Sequence, residues 1–583
     1  MRIQIAKTAG FCMGVRRAVD MALDLNRQQP PLPTVTYGPL IHNPQTIDLL
    51  NSRGISQVDS IDQVHFGTVI IRAHGISPQE RLALDAKGVY IVDATCPRVK
   101  RVQALIQKHS IKGDYCVIVG DEDHPEVRGL SGFAQSGGIS ISSLEEISRL
   151  DQIPADRQLC VVAQTTQEPE KFEKIVQHLK DQGLILHVYN TICDSTIKRQ
   201  AEVKSLSQGV DMIIVVGGKR SGNTIRLAQV ALEQGVRVRH VETADQVLPA
   251  DFDGIRAIGI TAGASTPNWQ IRTLVEKLRQ IDLKTRSGIY PKLRLFADYT
   301  IMTYMWAALG GAGLTLACSV LQENKVDFTA AIVTALFVFS MHLINRIQES
   351  SGALRFNTPE IAEFYSRHQK ILRAIGGVAA LMSVLISYFL GWLSMIMVMS
   401  MIVTGILYPL PILVSMRIFG GRWSSLKDIP GSKTPLVSIG WAMSAAIIPS
   451  FSGELWAGIS SIVVSFIFAA GMVFWRTALS DLIDIQGDRI GGRETIPILF
   501  GGRATEKILN ITLLFLSCLL ILSSLEGWTS KFGYLLLINV MIFKFFFDFY
   551  KKGHLVDRLL FEGLVDGNFV LAGVVSIIYA SAP

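Results

Sequence analysis

The chain has 583 residues, of which 49% are hydrophobic, with a net charge of +7 at neutral pH and 7 cysteines. It is too long for one ordinary domain. Its cysteines are few, odd in number and widely spaced, which excludes a disulfide-stapled secreted scaffold. The positive charge lies largely in loops between apolar runs, so it does not call for a nucleic-acid partner.

In chain order, MRIQIAKTAGFCMGVRR (1–17) has no long apolar core and no cleavage-site pattern. No signal peptide is expected. Residues 1–285 carry charge throughout and 286–583 hold long apolar runs, which divides the chain into a soluble domain and a membrane domain. The soluble part repeats one theme. Apolar runs end in glycine or polar turns at GTVIIRAHG (67–75), VYIVDATC (89–96), YCVIVGDEDHPE (115–126), LCVVAQTTQ (159–167), MIIVVGGKRSGN (212–223) and AIGITAGAST (257–266). Helix-like segments alternate with them, which predicts βα units on a mainly parallel sheet. Ligands of such sheets bind beyond the carboxyl ends of the strands.

Three stretches match one another: GFCMGVRRAV around Cys12, ATCPRVKRVQ around Cys96 and TICDSTIKRQ around Cys193. Each cysteine precedes a helix-like segment and has a basic residue five positions later: Arg17, Arg101 and Lys198. A helix start favours a thiolate, because its free N–H groups carry partial positive charge. Three such thiolates predict one metal centre. A lone strand-end cysteine is more often a small buried residue, and Cys116 and Cys160, inside apolar runs, are read that way. Spacing leaves two groups open: a [4Fe–4S] cluster with one iron free for substrate, or zinc with three thiolates and a water.

The loops at strand ends supply His42, His74 and His124, three histidines expected at equivalent positions, together with Ser221, Asn223 and Ser265. Such donors suit an oxyanion, a diphosphate for example. Glu126, two residues after His124, is a candidate proton donor if a closed site raises its pKa.

Taken together, GFCMGVRRA, HNP, AHG, DATCP, HPEV, QTT, Cys193, SGN and TAGAS resemble the 4-hydroxy-3-methylbut-2-enyl diphosphate reductase (IspH or LytB) family across about residues 1–282. The resemblance implies an α/β trefoil of three units around a central [4Fe–4S] cluster held by Cys12, Cys96 and Cys193. It implies the last step of the non-mevalonate isoprenoid pathway, fed by an electron donor such as ferredoxin or flavodoxin. His42, His74, His124, Ser221, Gly222, Asn223 and Ser265 would hold the diphosphate, Thr165 would contact the hydroxyl, and Glu126 with His124 would handle protons. At Gly222, members often carry a second serine.

Nine apolar candidates follow, at about 299–321, 328–344, 374–390, 392–414, 435–450, 455–475, 508–525, 532–550 and 566–582. The fifth and ninth are weak, and the ninth begins near Asp566. Basic residues cluster in alternate loops, with Arg346 and Arg367 after the second, Arg417, Arg422 and Lys427 after the fourth, Arg476 and Arg489 after the sixth, and Lys551 and Lys552 after the eighth. That pattern predicts a multi-pass protein of the inner (cytoplasmic) membrane with the N-terminal domain in the cytoplasm. Within SDLIDIQGDRIGGRETIP (480–497), Asp481, Asp484 and Asp488 share a helix face and suit Mg²⁺ bridged to a diphosphate, assisted by Lys427, Lys433 and Arg493. A solvated charged loop is the plainer reading.

This part resembles the UbiA superfamily of intramembrane prenyltransferases. The resemblance implies two aspartate-rich motifs that bind Mg²⁺ and a prenyl diphosphate. The first, expected as N-D-x-x-D, reads NRIQES (345–350): Asn345 remains, Arg346 stands for one aspartate and Glu349 for the other. Two readings follow for this domain: an active prenyltransferase, or an impaired anchor that binds lipid. For the soluble domain, the rival reading is a three-cysteine zinc hydrolase.

Overall fold

The computed structural model describes the chain except residues 26–32, 144, 147, 150–156, 220, 286–287, 350–353, 411–424, 452–457, 552–557 and 583. Arg417, Arg422 and Lys552 of the basic loops lie outside the described residues. The chain forms two compact units, Met1–Leu283 and Lys284–Pro583.

The first unit contains three four-stranded sheets, all parallel. In chain order the strands are β1 (Arg2–Ile5), β2 (Thr34–Tyr37), β3 (Ile55–Val58), β4 (Thr68–Ile71), β5 (Tyr90–Asp93), β6 (Tyr115–Val119), β7 (Gly138–Ile141), β8 (Leu159–Ala163), β9 (Leu186–Tyr189), β10 (Met212–Val216), β11 (Arg237–Val241) and β12 (Ala257–Ala262). The sheet orders are β3-β2-β4-β5, β7-β6-β8-β9 and β11-β10-β12-β1. The three orders are equivalent, and β1, from the start of the chain, completes the third sheet.

The central strands β4, β6, β8, β10 and β12 are buried almost throughout, because helices cover both faces of a parallel sheet. These strands and β5 are the six runs legible in the sequence. Of the other six, β1, β3, β7, β9 and β11 are edge strands, half exposed and less apolar. β2 (TVTY) is central but too polar to stand out.

The second unit is helical. Among the described residues, seven of its helices are long and apolar enough to cross a membrane: Phe328–Gln348, Gln369–Leu390, Lys433–Phe451, Ile459–Ile483, Gly502–Leu525, Phe532–Lys551 and Arg558–Ser581. The pair Pro291–Met302 and Met305–Leu321, bent by 70°, raises the number to eight if it counts as one span. With the shorter apolar helix Trp392–Leu407, a helical segment stands at each of the nine expected runs, of which seven or eight reach spanning length among the described residues. The first candidate is this broken pair. The fourth is the shorter helix Trp392–Leu407, whose expected end at 414 falls outside the described residues. The weak fifth candidate is an α-helix that passes through a π-helical turn, Met443–Ile447.

Two boundaries move for one reason. The sixth span continues past 475 to Ile483, and the ninth starts at Arg558 rather than Asp566. Arg476, assigned to a loop by its charge, lies within the sixth span and makes a bidentate ion pair with Asp566. Each charge allows the other to be buried.

Candidate functional site

In the first unit the chemistry collects where equivalent loops leave the three sheets. Cys96 and Cys193 are the N-caps of helices Pro97–Ile111 and Asp194–Ser207, and Cys12 immediately precedes helix Met13–Leu25. Each cysteine N–H donates to a carbonyl of the neighbouring strand's loop: Cys12 to Ala264 (3.0 Å), Cys96 to Ala73 (2.9 Å) and Cys193 to Thr165 (2.8 Å). Those acceptors stand two residues past the ends of β12 (Ala262), β4 (Ile71) and β8 (Ala163). One rule of topology therefore places all three cysteines.

The cysteines are close neighbours. A Cβ on Gly14 would lie 2.5 Å from Cys96 Sγ. Burial pushes the Cys96 thiol up, and the charges of Cys12 and Cys193 push it further. Helix-start amides of Arg98 and Val99 act the other way on Cys96, and Val15 N–H donates to Cys12 Sγ. Among the described residues, His42–His74–His124 and His109–Asp114–His187 are the metal-ligand groups whose atoms lie within 4.8 Å of one another; the three cysteines are not such a group. A single zinc ion with Zn–S bonds of about 2.3 Å would bring the sulfurs closer than that. A cluster that takes each thiolate on a separate iron fits wider spacing and the soft donor set.

The basic residues five positions after the cysteines do not act alike. Arg17 donates to Thr95 O (3.2 Å), whereas Lys198 and Arg101 are exposed. The buried cation is Arg199, which donates to Ala262 O (2.9 Å) and Gly10 O (2.7 Å) and ties the third sheet to the Cys12 loop. Its neighbour Lys198 drew the sequence reading away from it.

The three histidines converge, with ring centroids 4.6 Å (His42–His74), 5.7 Å (His42–His124) and 5.5 Å (His74–His124) apart. They are not at three equivalent positions, as expected from sequence. His42, His124 and Ser221 are the equivalent set, each five residues past the end of its strand (Tyr37, Val119, Val216). His74 belongs with Ser265, each directly after the carbonyl that receives a cysteine N–H. Chain contacts alone could not sort a histidine from a serine in the same role.

Burial holds all three imidazoles below their ordinary pKa, His124 at about 4 and His74 well below the ordinary value. The Arg72 charge adds to the effect. Arg72 went unnoticed in the run IIRAHG; it supplies a permanent cation beside the trio. His124 Nδ1 accepts the Glu126 N–H (3.1 Å), so the neutral ring carries its proton on Nε2. His74 Nδ1 and both polar atoms of the Asn223 side chain are buried without a hydrogen-bond partner in the structure. Buried groups left so cost about 1–3 kcal/mol each, so these atoms are candidates to meet a ligand. The Gly218 backbone packs against His42 O, bringing the Ser221–Asn223 loop beside the histidines.

Glu126 is 2% exposed. It accepts Thr165 N–H at Oε1 (2.7 Å) and Thr165 Oγ1–H at Oε2 (2.9 Å). Burial raises its pKa against both hydrogen bonds.

In the second unit a cavity of about 360 Å³ is lined by Asn345, Arg346, Lys427, Lys433 and Arg493, with Asp484 and Asp488. Asp481 is outside the lining. Its carboxylate accepts Lys433 Nζ (2.9 Å) and Thr434 Oγ1 (2.8 Å). Asp484 accepts Arg558 (2.8 Å), and Asp488 accepts Asn357 Nδ2 (2.9 Å) with Arg493 at 3.7 Å. The three aspartates thus accept hydrogen bonds from Lys433 and Thr434, from Arg558 and from Asn357 respectively, and among the described residues they are not gathered within metal-ligand distance of one another. This arrangement does not fit the two-motif Mg²⁺ site. Asn357 escaped the sequence reading, since it lies in no motif, and Arg476 and Arg558 read only as loop charges.

Three parallel sheets that present thiols, imidazoles and a buried acid, followed by a helical membrane unit around a polar-ended cavity, define a two-domain protein with chemistry in each part. The model of the LytB protein family matches residues 3–279, and that of the UbiA prenyltransferase family matches residues 304–561. The 4-hydroxy-3-methylbut-2-enyl diphosphate reductase of Geobacter metallireducens is 40% identical over 282 residues, which is 48% of this chain and 98% of that one. The solved structure of (E)-4-hydroxy-3-methyl-but-2-enyl diphosphate reductase, described as the terminal enzyme of the non-mevalonate pathway, is 39% identical; it covers 48% of this chain and 100% of its own, with a TM-score of 0.39. A UbiA homolog from Archaeoglobus fulgidus, solved bound to DMAPP and Mg²⁺, is 13% identical and covers 48% of this chain and 99% of its own, with a TM-score of 0.35. The chain belongs to the 4-hydroxy-3-methylbut-2-enyl diphosphate reductase family, fused to a UbiA-type membrane domain.

Proposed function

We propose that the first unit reductively removes the hydroxyl group of 4-hydroxy-3-methylbut-2-enyl diphosphate. The allylic C–O bond breaks, two electrons and two protons are taken up, and water leaves with isopentenyl or dimethylallyl diphosphate. Cys12, Cys96 and Cys193 would hold a [4Fe–4S] cluster, which supplies the electrons and a binding site for the hydroxyl oxygen. An external donor such as ferredoxin or flavodoxin would recharge it.

The remaining steps belong to the chain's own side chains. His42, His74, His124, Ser221 and Asn223 receive the diphosphate, with backbone N–H groups at Gly222 and the Ser265 loop assisting. Thr165 orients the substrate hydroxyl. Burial raises the Glu126 pKa; when the acid takes up a proton, the Glu126–Thr165 hydrogen bond reverses, and the proton passes through Thr165 Oγ1 towards the leaving oxygen. The observation that carries this reading is the Glu126–Thr165 contact, on the same residue whose carbonyl receives Cys193 N–H.

The second unit would transfer a prenyl group from a prenyl diphosphate to a nucleophilic acceptor. The prenyl C–O bond breaks, the bond to the acceptor forms, the acceptor gives up a proton and diphosphate leaves. The alternation of basic loops supports a cytoplasmic-membrane protein with the reductase on the cytosolic side.

The test is anaerobic purification of the full chain, with iron, sulfide and zinc analysis and turnover of the substrate with a reduced dye. Iron and sulfide with turnover are expected. Zinc without sulfide would overturn the reductase reading in favour of the hydrolase.

A further inference from the structure

The cavity of the second unit has an apolar wall that includes Phe337, Met341 and Met401, and a charged end. Among the described lining residues, the lysines and arginines number six and the carboxylates four. The lining is therefore net positive even with every acid ionised. An acidic site built for divalent ions has the opposite balance, since Mg²⁺ is drawn in by carboxylates and shared phosphates.

The aspartates are also committed. Asp484 is held by Arg558, which reaches Ser480 (2.6 Å) and Glu562 (2.7 Å) as well. Asp488 is fixed by Asn357, whose amide packs so tightly on Gly487 that a Cβ there would lie 1.8 Å from Oδ1. Where an acidic residue of a first motif would stand, Arg346 lines the same cavity and lies 5.6 Å from the Tyr304 ring. A guanidinium repels Mg²⁺ and binds phosphate oxygens in pairs. Arg476 adds a second guanidinium, whose pairing with Asp566 uses two of its five N–H donors.

We infer that this cavity holds a prenyl diphosphate through Arg346 and its neighbouring lysines and arginines directly, so that binding needs no divalent cation. The inference rests on the reading of the second unit as a prenyl-diphosphate site. It differs from that reading in what neutralises the diphosphate: side-chain cations take the place of metal ions.

The experiment uses the full chain in detergent with labelled geranylgeranyl diphosphate, whose length distinguishes it from the five-carbon substrate of the first unit. Binding is measured in EDTA and in excess Mg²⁺. The expected dissociation constants agree within about threefold. Arg346→Asp should weaken binding in EDTA by about tenfold or more and recover part of it in Mg²⁺, while Arg346→Lys, which keeps the charge and the fold, should lose less. Binding by the unaltered chain only in Mg²⁺ overturns this inference and leaves the prenyl-diphosphate reading intact. Binding in neither condition overturns both.

Discussion

Thr165 gives both its N–H and its hydroxyl proton to the two carboxyl oxygens of Glu126, at 2.7 and 2.9 Å. The same threonine's carbonyl accepts Cys193 N–H at 2.8 Å. One residue therefore ties the buried acid to the cysteine corner of the candidate site.

Glu126→Gln should lower reductase kcat by about 10²- to 10⁴-fold with little change in KM. Thr165→Val, which loses the hydroxyl but keeps the N–H, should fall between the two. The raised pKa of Glu126 sets the sign of the pH dependence: the active protonated form persists above the ordinary carboxylate range and is lost as pH rises through the folded-state value. A kcat profile that falls on its alkaline side in the parent and flattens in Glu126→Gln is the expected record. An unchanged profile would contradict the role of Glu126.

Diphosphate binding should be accompanied by proton uptake. The free site holds His42, His74 and His124 neutral at pH 7, because burial depresses each pKa. An arriving anion raises those values, so affinity should increase as pH falls through the bound-state pKa and level off below the free-state value, about 4 for His124. Calorimetry in buffers of different ionisation enthalpy measures the uptake directly. His124→Gln should reduce it.

Two glycines should respond in opposite ways. Gly14→Ala drives a methyl group into Cys96 Sγ, 2.5 Å from the new Cβ, and should cut iron content per chain severalfold in anaerobic preparations. Among the described residues beyond its chain neighbours and its own helix backbone, no atom lies within 4 Å of a Cβ added at Gly222, so Gly222→Ser should fold normally and supply a further hydroxyl donor at the start of helix Gly222–Glu233. Its expected effect is a KM for the diphosphate lowered about threefold or more. Steady-state kinetics of the two variants separates the effects.

In the membrane unit, Asp566→Ala should destabilise the protein by about 3–5 kcal/mol, because it leaves Arg476 buried without its partner. Replacing both residues, with Arg476→Met and Asp566→Leu, should recover most of the loss. Thermal unfolding in detergent gives the comparison. Equal stability of the single variant and the parent would mean that water reaches the pair.

Much of the candidate site in the first unit was legible because its residues announce themselves locally. A cysteine before a helix-like run, or a histidine at the end of an apolar run, needs no knowledge of partners. Arg72, just past a strand end, and Arg199, inside the helix Asp194–Ser207, escaped because a cation in a turn or on a helix reads as a solvated residue until the fold buries it. The grouping of His42 and His124 with Ser221, and of His74 with Ser265, depends on sheet order, which sequence spacing does not carry. In the membrane unit, charge misled in one place. On paper Arg476 ended one apolar run and Asp566 began another, yet they pair with each other inside the bundle.

By itself the sequence determined the two-domain division, the βα character of the first, the apolar spans of the second, and the cysteines, histidines and acids that carry chemistry. These follow from composition and local periodicity, which act over a few residues. The tertiary structure decided which of those residues meet: that β1 closes the third sheet and brings Cys12 to Cys96, that Thr165 grips Glu126, and that Asp481 meets Lys433 and Thr434, Asp484 meets Arg558 and Asp488 meets Asn357. Those outcomes depend on contacts between residues far apart in the chain. Only packing specifies them, because burying a charge or a polar group is tolerated where a partner arrives to meet it.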